Sequence, residues 1–195
     1  MKSLIAGALA VMAFVFGGTS PAYAEQPAYA EDRAAIEELM ARYLFAMDWN
    51  DFDSYAETFT EDGELVFATG AAKGRQAIRD MARKFKQRLG EIYRDEDGNP
   101  AVLRHVLGHT SIRVEGDRAW SRGFWYEMGN TGPGKTPEIG SFGTYADELV
   151  RIDGRWFFTK REVFNEFLEG RGTRAENPVR RMDAQADEMA NGEVE

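Results

Sequence analysis

The chain has 195 residues, with 33 Asp and Glu against 24 Lys and Arg and a formal net charge of −9. A surface that acidic repels phosphate backbones and anionic headgroups, so nucleic acid and membrane surfaces are excluded as partners. The chain has no cysteine, which excludes thiol catalysis, iron–sulfur clusters and cysteine-bound zinc.

Lys2 precedes an apolar run from Leu4 to Phe16, which Gly17, Gly18 and Pro21 break ahead of Ala22-Tyr23-Ala24. Charged, apolar and small residues in that order make a secretory signal, and the apolar part is too short to stay across a bilayer. Cleavage is expected after Ala24, with Ala28-Tyr29-Ala30 as a second position, and the product is expected in the periplasm. Residues 25–168 then read as one domain and 169–195 as a polar tail, a loose arm or a short frayed helix.

From Asp32 to Trp49, Ile36, Leu39, Met40, Tyr43, Leu44 and Met47 fall at helical spacing. Asn50 or Asp51 can cap a shorter helix holding Phe52, Tyr55, Ala56 and Phe59. A short strand follows from Glu64 to Ala68, then a loop from Gly70 to Gly74. A third helix runs from Gln76 to Ile92, with Ile78, Met81, Phe85 and Leu89 inward. Beyond the polar loop from Arg94 to Pro100 the period becomes alternating, giving strands at 102–115, 118–128, 141–152 and 155–167. Gly116-Asp117 and Asp153-Gly154 mark tight hairpins, and 130–137 a wider one. Helices followed by an antiparallel meander predict an α+β fold with the helices on the concave face of a curved sheet.

Residues 129–136, GNTGPGKT, satisfy the P-loop pattern letter for letter. That motif works only where a helix begins at its lysine and its amides cradle phosphate. Here Pro137 and Gly140 follow and then a strand, so the segment reads as a hairpin loop and Lys135 as a solvated lysine.

Three features could carry chemistry. Asp48 ends the first helix at the border of its apolar stripe; it either caps the following turn or faces a site. His105 and His109 lie four apart on a strand, which by parity puts them on one face with Leu107. They read as core histidines, or one of them pairs with Asp48 as a base whose tautomer the carboxylate fixes. No metal-ligand spacing is present, so neither a metal nor a cofactor is expected. On the later strands Ser121, Gly123, Trp125 and Glu127 share a face, as do Gly143, Tyr145 and Asp147; small residues beside aromatics leave room for a flat ligand.

The run Ile36-Glu-Glu-Leu-Met-Ala-Arg-Tyr43, with Asp48-Trp-Asn-Asp-Phe-Asp53 and Phe59-Thr-Glu-Asp-Gly63, resembles the SnoaL-like branch of the nuclear transport factor 2-like superfamily. Gly74-Arg-Gln-Ala-Ile78, Arg104-His105, Val114-Glu-Gly-Asp-Arg-Ala119 and the stretch from Gly143 to Trp156 extend the match over about residues 32–163. The resemblance implies a cone-shaped, curved antiparallel sheet closed by three N-terminal helices around a deep pocket. It also implies a homodimer or homotrimer built through the open sheet face.

Proteins with this spacing include scytalone dehydratase, hexachlorocyclohexane dehydrochlorinase, polyketide cyclases and cofactor-free formaldehyde lyases of lignin-derived diaryl compounds. The resemblance, and not the spacing, singles out Asp48 and His105 as a catalytic dyad. It adds Arg161 on the last strand as a third catalytic residue. Tyr43 stands where the dehydrochlorinase has a basic residue, and Gly123 falls near a second histidine of scytalone dehydratase. Tyr43, Phe67, His109, Trp125 and Tyr145 are expected to bind substrate. The function implied is a cofactor-independent lyase that removes water or formaldehyde from a hydroxylated aromatic small molecule. An isomerase or cyclase with the same dyad, and a non-catalytic binding or association module, are the alternatives.

Overall fold

The computed structural model describes residues 22–192 apart from 69, 171 and 173–175. The expected leader, 1–24, lies outside these residues save for its last three, which begin helix α1 (Ala22–Asp48). The stripe from Ile36 to Met47 is buried, as its periodicity predicts. The helix stops where Asn50 turns left-handed at φ +60°, letting the Asp51 N–H bond the Ala46 carbonyl at 2.9 Å. Asp51 then caps α2 (Phe52–Glu57) by accepting from the Ser54 N–H at 3.1 Å.

Strand β1 (Phe59–Phe67) is longer than its short apolar core suggests. The segment expected as a loop is β2 (Gly70–Lys73), which pairs antiparallel with β1. Helix α3 (Arg75–Ile92) follows, burying Ile78 and Ala82. The remaining strands are β3 (Leu103–Glu115), β4 (Arg118–Gly129), β5 (Glu138–Ile152) and β6 (Arg155–Asn165). They form one curved, unclosed sheet in the order β2-β1-β6-β5-β4-β3. The meander from β3 to β6 is antiparallel throughout, but its return lays β6 parallel to β1. Helix α1 packs on β3 and β6, and α3 on β1 and β2. One cluster of buried residues joins α1, α2, α3 and the concave side of the sheet.

Bulges set which side chains face that core. Gly108 and His109 together oppose Phe124 alone, since Leu107 pairs with Trp125 and Thr110 with Gly123. Such an insertion inverts the parity of everything beyond it. A second bulge at Thr159 moves the inward set of β6 from Trp156 and Phe158 to Arg161, Val163 and Asn165. The strand alternation read from sequence has no means of showing either insertion.

Of the two forms expected for the tail, its described residues take the helical one. Helix α4 (Pro178–Ala190), capped by Asn177, seats Met182 and Ala186 against Trp120 on the convex side of the sheet. Arg113 also reaches from β3 to the Asp187 carboxylate at 2.6 Å. The P-loop-like segment is a hairpin loop with a single 3-10 turn, Pro133–Lys135. Its Gly134 N–H donates to Glu96 at 2.8 Å, and Lys135 pairs with Asp97 at 2.6 Å. With those donors taken by carboxylates, the loop cannot cradle a phosphate.

Candidate active site

The end of α1 and the start of β3 meet through one side chain. The Asp48 Oδ2 accepts the His105 backbone N–H at 2.8 Å, and its Oδ1 lies 2.6 Å from His105 Nδ1. Asp48 therefore does not cap its own turn; both of its oxygens serve His105. Arg104 takes over the helix end, donating to the Asp48 carbonyl at 3.3 Å while its guanidinium lies 3.9 Å over the Trp49 ring. A cation there offsets the negative end of the helix dipole beside which Asp48 sits. Because a carboxylate only accepts, the shared proton belongs to Nδ1, and His105 Nε2 carries the free lone pair.

That nitrogen opens onto a cavity of about 450 Å³ enclosed between α1, α3 and the sheet. Tyr43, Tyr55 and Tyr145 are its buried deep end; Tyr55 donates to the Tyr43 hydroxyl at 2.6 Å. Burial pushes all three phenols up, Tyr55 and Tyr145 well above the ordinary range, so they stay neutral donors and acceptors. Phe67 and Phe85 meet edge to face on one wall, and Trp125 stacks on Tyr145 with ring centroids 5.7 Å apart on another. The indole lies over Gly143, where a Cβ would come within 1.8 Å of the Phe164 carbonyl oxygen. The exposed side chains of Arg88, Ile92, Phe167 and Leu168 form the rim. Trp125 Nε1 and Asn165 Oδ1 are buried on this lining with no partner among the described residues.

Of the expected substrate-binding residues, the structure brings together Tyr43, Phe67, Trp125 and Tyr145 with His105. Two of the expected site residues lie elsewhere. His109 is exposed and stacks on Phe124 at a centroid distance of 5.6 Å, because the bulge at Gly108 and His109 turns it to the convex face. Arg161 is inward but does not reach the cavity lining. Its Nε and Nη2 donate to the two oxygens of Asp147 at 2.7 and 2.8 Å, and Tyr43, Tyr145 and Phe158 cover its guanidinium at 4.0–4.3 Å. Burial alone would lower its pKa; the Asp147 carboxylate reverses that and holds it raised. Ser121 completes the cluster, donating to Asp147 at 2.6 Å. This arrangement supports the deep end of the cavity from beneath.

One residue at the site was not anticipated. Glu127, paired with His105 across β3 and β4, lies 3.6 Å from His105 Nε2 and is 3% exposed. The Ser141 hydroxyl points to its other oxygen at 3.4 Å. Burial pushes the Glu127 carboxyl up, against the opposing pull of His105 and Lys86. The signal was present in its shared parity with Trp125: an acid on the inward face of a central strand. Among the described residues no group of three His, Asp or Glu side chains is arranged to hold a metal ion.

The chain matches the SnoaL-like domain over residues 28–162. Uncharacterised proteins of Mycobacterium tuberculosis and Mycobacterium bovis are 32% identical to it over 132 residues, covering 67% of this chain and 82% of theirs. A protein of unknown function from M. tuberculosis, solved as an Asp-to-Asn variant, superposes with a TM-score of 0.61 at 26% identity over 78% of this chain and 80% of its own. ActVI-ORFA of Streptomyces coelicolor gives 0.59 at 25% identity over 70% and 98%. A putative scytalone dehydratase of Novosphingobium aromaticivorans shares the fold, with 0.58 at 21% identity over 76% and 97%. With its sheet, its helices and more than half of its length accounted for, the chain is a member of the SnoaL-like family.

Proposed function

We propose that this protein is a cofactor-independent lyase that removes water or formaldehyde from a hydroxylated aromatic small molecule, lignin-derived diaryl compounds being one candidate class. One observation carries the reading: a carboxylate–imidazole pair, with a contact of 2.6 Å, presents its free nitrogen to an aromatic-lined cavity. His105 Nε2 takes a proton, from carbon when water leaves or from a hydroxymethyl O–H when formaldehyde leaves. Asp48 holds the ring and stabilises the imidazolium that forms, a role distinct from accepting the proton itself. Positioned proton transfer of this kind contributes roughly 10²–10⁴-fold. The flat walls made by Trp125, Tyr145, Phe67 and Phe85 suit stacked rings, and the Trp125 Nε1 donor and Asn165 Oδ1 acceptor suit hydroxyl substituents.

The test is incubation of the protein with a panel of aromatic diols, lignin-type dimers and benzylic alcohols, read by mass spectrometry. Loss of the mass of water or formaldehyde, abolished in His105→Gln, supports the lyase. A rearranged product of unchanged mass would reassign the site to an isomerase or cyclase. Saturable binding of panel compounds without any conversion would leave a binding module.

A further inference from the structure

Resting on the lyase reading above, we propose that Glu127 is the general acid of the reaction and forms with His105 a self-resetting proton relay. His105 Nε2 and Glu127 Oε2 are 3.6 Å apart, beyond a good hydrogen bond and close enough that one substrate oxygen can touch both. Their side chains are 10% and 5% exposed, and both line the cavity. The two are cross-strand partners on adjacent strands, so the sheet itself fixes the gap between them.

The charge surroundings favour a carboxyl that keeps its proton. Asp48 on α1 is a second acid on the far side of the imidazole, so ionising both would put two carboxylates around one ring in an apolar cone. From α3 the half-buried Lys86 opposes this, and burial lowers its own pKa. From β5 only the Ser141 hydroxyl reaches Glu127, and the Tyr93 ring stands nearby over Gly140. No arginine meets the Glu127 carboxyl among the described residues.

In the dehydration, Nε2 takes the proton from the carbon next to the carbinol, and the C–H electron pair becomes the new C=C bond. The C–O bond breaks, and its oxygen takes the Glu127 proton to leave as water. The proton on Nε2 then returns to the Glu127 carboxylate through the departing water, which can bridge the two groups from the cavity side. Both residues are restored without a buffer molecule entering the cavity, and the net change is one water lost from the substrate.

Two measurements test the assignment. In protein carrying ¹³C at glutamate Cδ, one resonance, absent in Glu127→Gln, should stay protonated at a pH where the other glutamates have ionised, and should move in His105→Gln. A Glu127 resonance that ionises with the rest overturns the acid role, whether or not any compound turns over. On a panel alcohol that loses water, Glu127→Gln should lower kcat/KM by roughly 100-fold or more and remove the alkaline limb of its pH profile. The matching acetate ester or halide, which leaves without a proton, should lose less than about threefold. Equal losses on alcohol and ester would show a structural role and refute the proposal. If no alcohol, diol or ester reacts with the wild-type protein while Glu127 still titrates high, the lyase reading fails and the acid role fails with it.

Discussion

Asp48→Asn separates the role of the carboxylate from that of its shape. Asparagine is nearly isosteric, and its oxygen can keep the 2.8 Å bond from the His105 backbone N–H. Its amide nitrogen then faces Nδ1, where the 2.6 Å contact now stands. Since that nitrogen only donates, Nδ1 must become the acceptor and the imidazole proton moves to Nε2. The cavity-facing atom changes from base to donor, and the imidazolium loses its charged partner. A hydrogen bond to a charged group contributes about 1.5–3 kcal/mol, and a wrong tautomer raises the total to about 4–5 kcal/mol, or roughly 10³–10⁴ in kcat/KM. Stability should change by less than about 2 kcal/mol, because the backbone bond persists. The assay joins kcat/KM on a reactive panel compound, the melting temperature, and ¹⁵N shifts of His105, which report the tautomer without any substrate. Turnover within about tenfold of wild type, or an Nε2 that stays unprotonated in the variant, would refute the reasoning.

Three further outcomes follow from the geometry. Arg161→Met should destabilise the fold by about 3–5 kcal/mol in denaturant unfolding, because it strands the buried Asp147 carboxylate; replacing Asp147 by Leu in the same chain should recover most of that loss. His109→Ala should leave kcat/KM within about twofold of wild type, since the ring sits on the convex face. Glu127→Gln should change how stability depends on pH. A carboxyl raised by burial binds its proton more tightly in the folded chain, so the wild type loses stability as pH climbs from the ordinary glutamate range through the raised value. The melting temperature of the variant should therefore gain on the wild type as pH rises above the ordinary glutamate range, and a constant difference would contradict the burial argument.

The helices were legible because their signal is local. The stripe from Ile36 to Met47 appears as read, and of the two expected caps Asn50 and Asp51 it is Asp51 that serves, although Phe59, expected in the second helix, opens β1. The strands were legible as elements, but their faces were readable only up to the first insertion. Tyr145 and Trp125 lie on uninterrupted stretches of β5 and β4, and parity placed them correctly. His109 lies at a bulge that Gly108 could have signalled, since an isolated glycine inside a strand often marks one, though it equally marks curvature. Arg161 was placed on the right strand, while its partner depended on register: only the pairing of Asp147 with Arg161 turns a candidate catalytic cation into half of an ion pair. The tail was read as either a loose arm or a short frayed helix, because helix α4 buries only Met182 and Ala186, with Val179 and Met189 partly covered beside them, against Trp120.

The same cone thus holds two charged clusters with opposite fates, and access to the cavity decides which is which. In the deeper one, both Asp147 oxygens are bonded, Ser121 adds a third donor, and three aromatic rings wrap the guanidinium. Arg161 Nη1 has no partner among the described residues, but the pair lies off the cavity lining, beneath Tyr43 and Tyr145, so its burial serves the fold. In the upper one, Asp48 is fully engaged, but the ring it holds ends in an Nε2 with no good acceptor or donor of its own, 3.6 Å from a carboxyl raised by burial. On the same lining Trp125 Nε1 and Asn165 Oδ1 are buried with no partner among the described residues, and leaving a buried polar atom unmatched costs about 1–3 kcal/mol. A ligand hydroxyl that reached those two atoms would recover that cost, whereas a ligand without one would forfeit it. On the lyase reading proposed above, a preference for hydroxylated substrates would follow from these unmatched atoms and from the cavity-facing His105 Nε2, with the aromatic walls selecting the shape of what carries the hydroxyl.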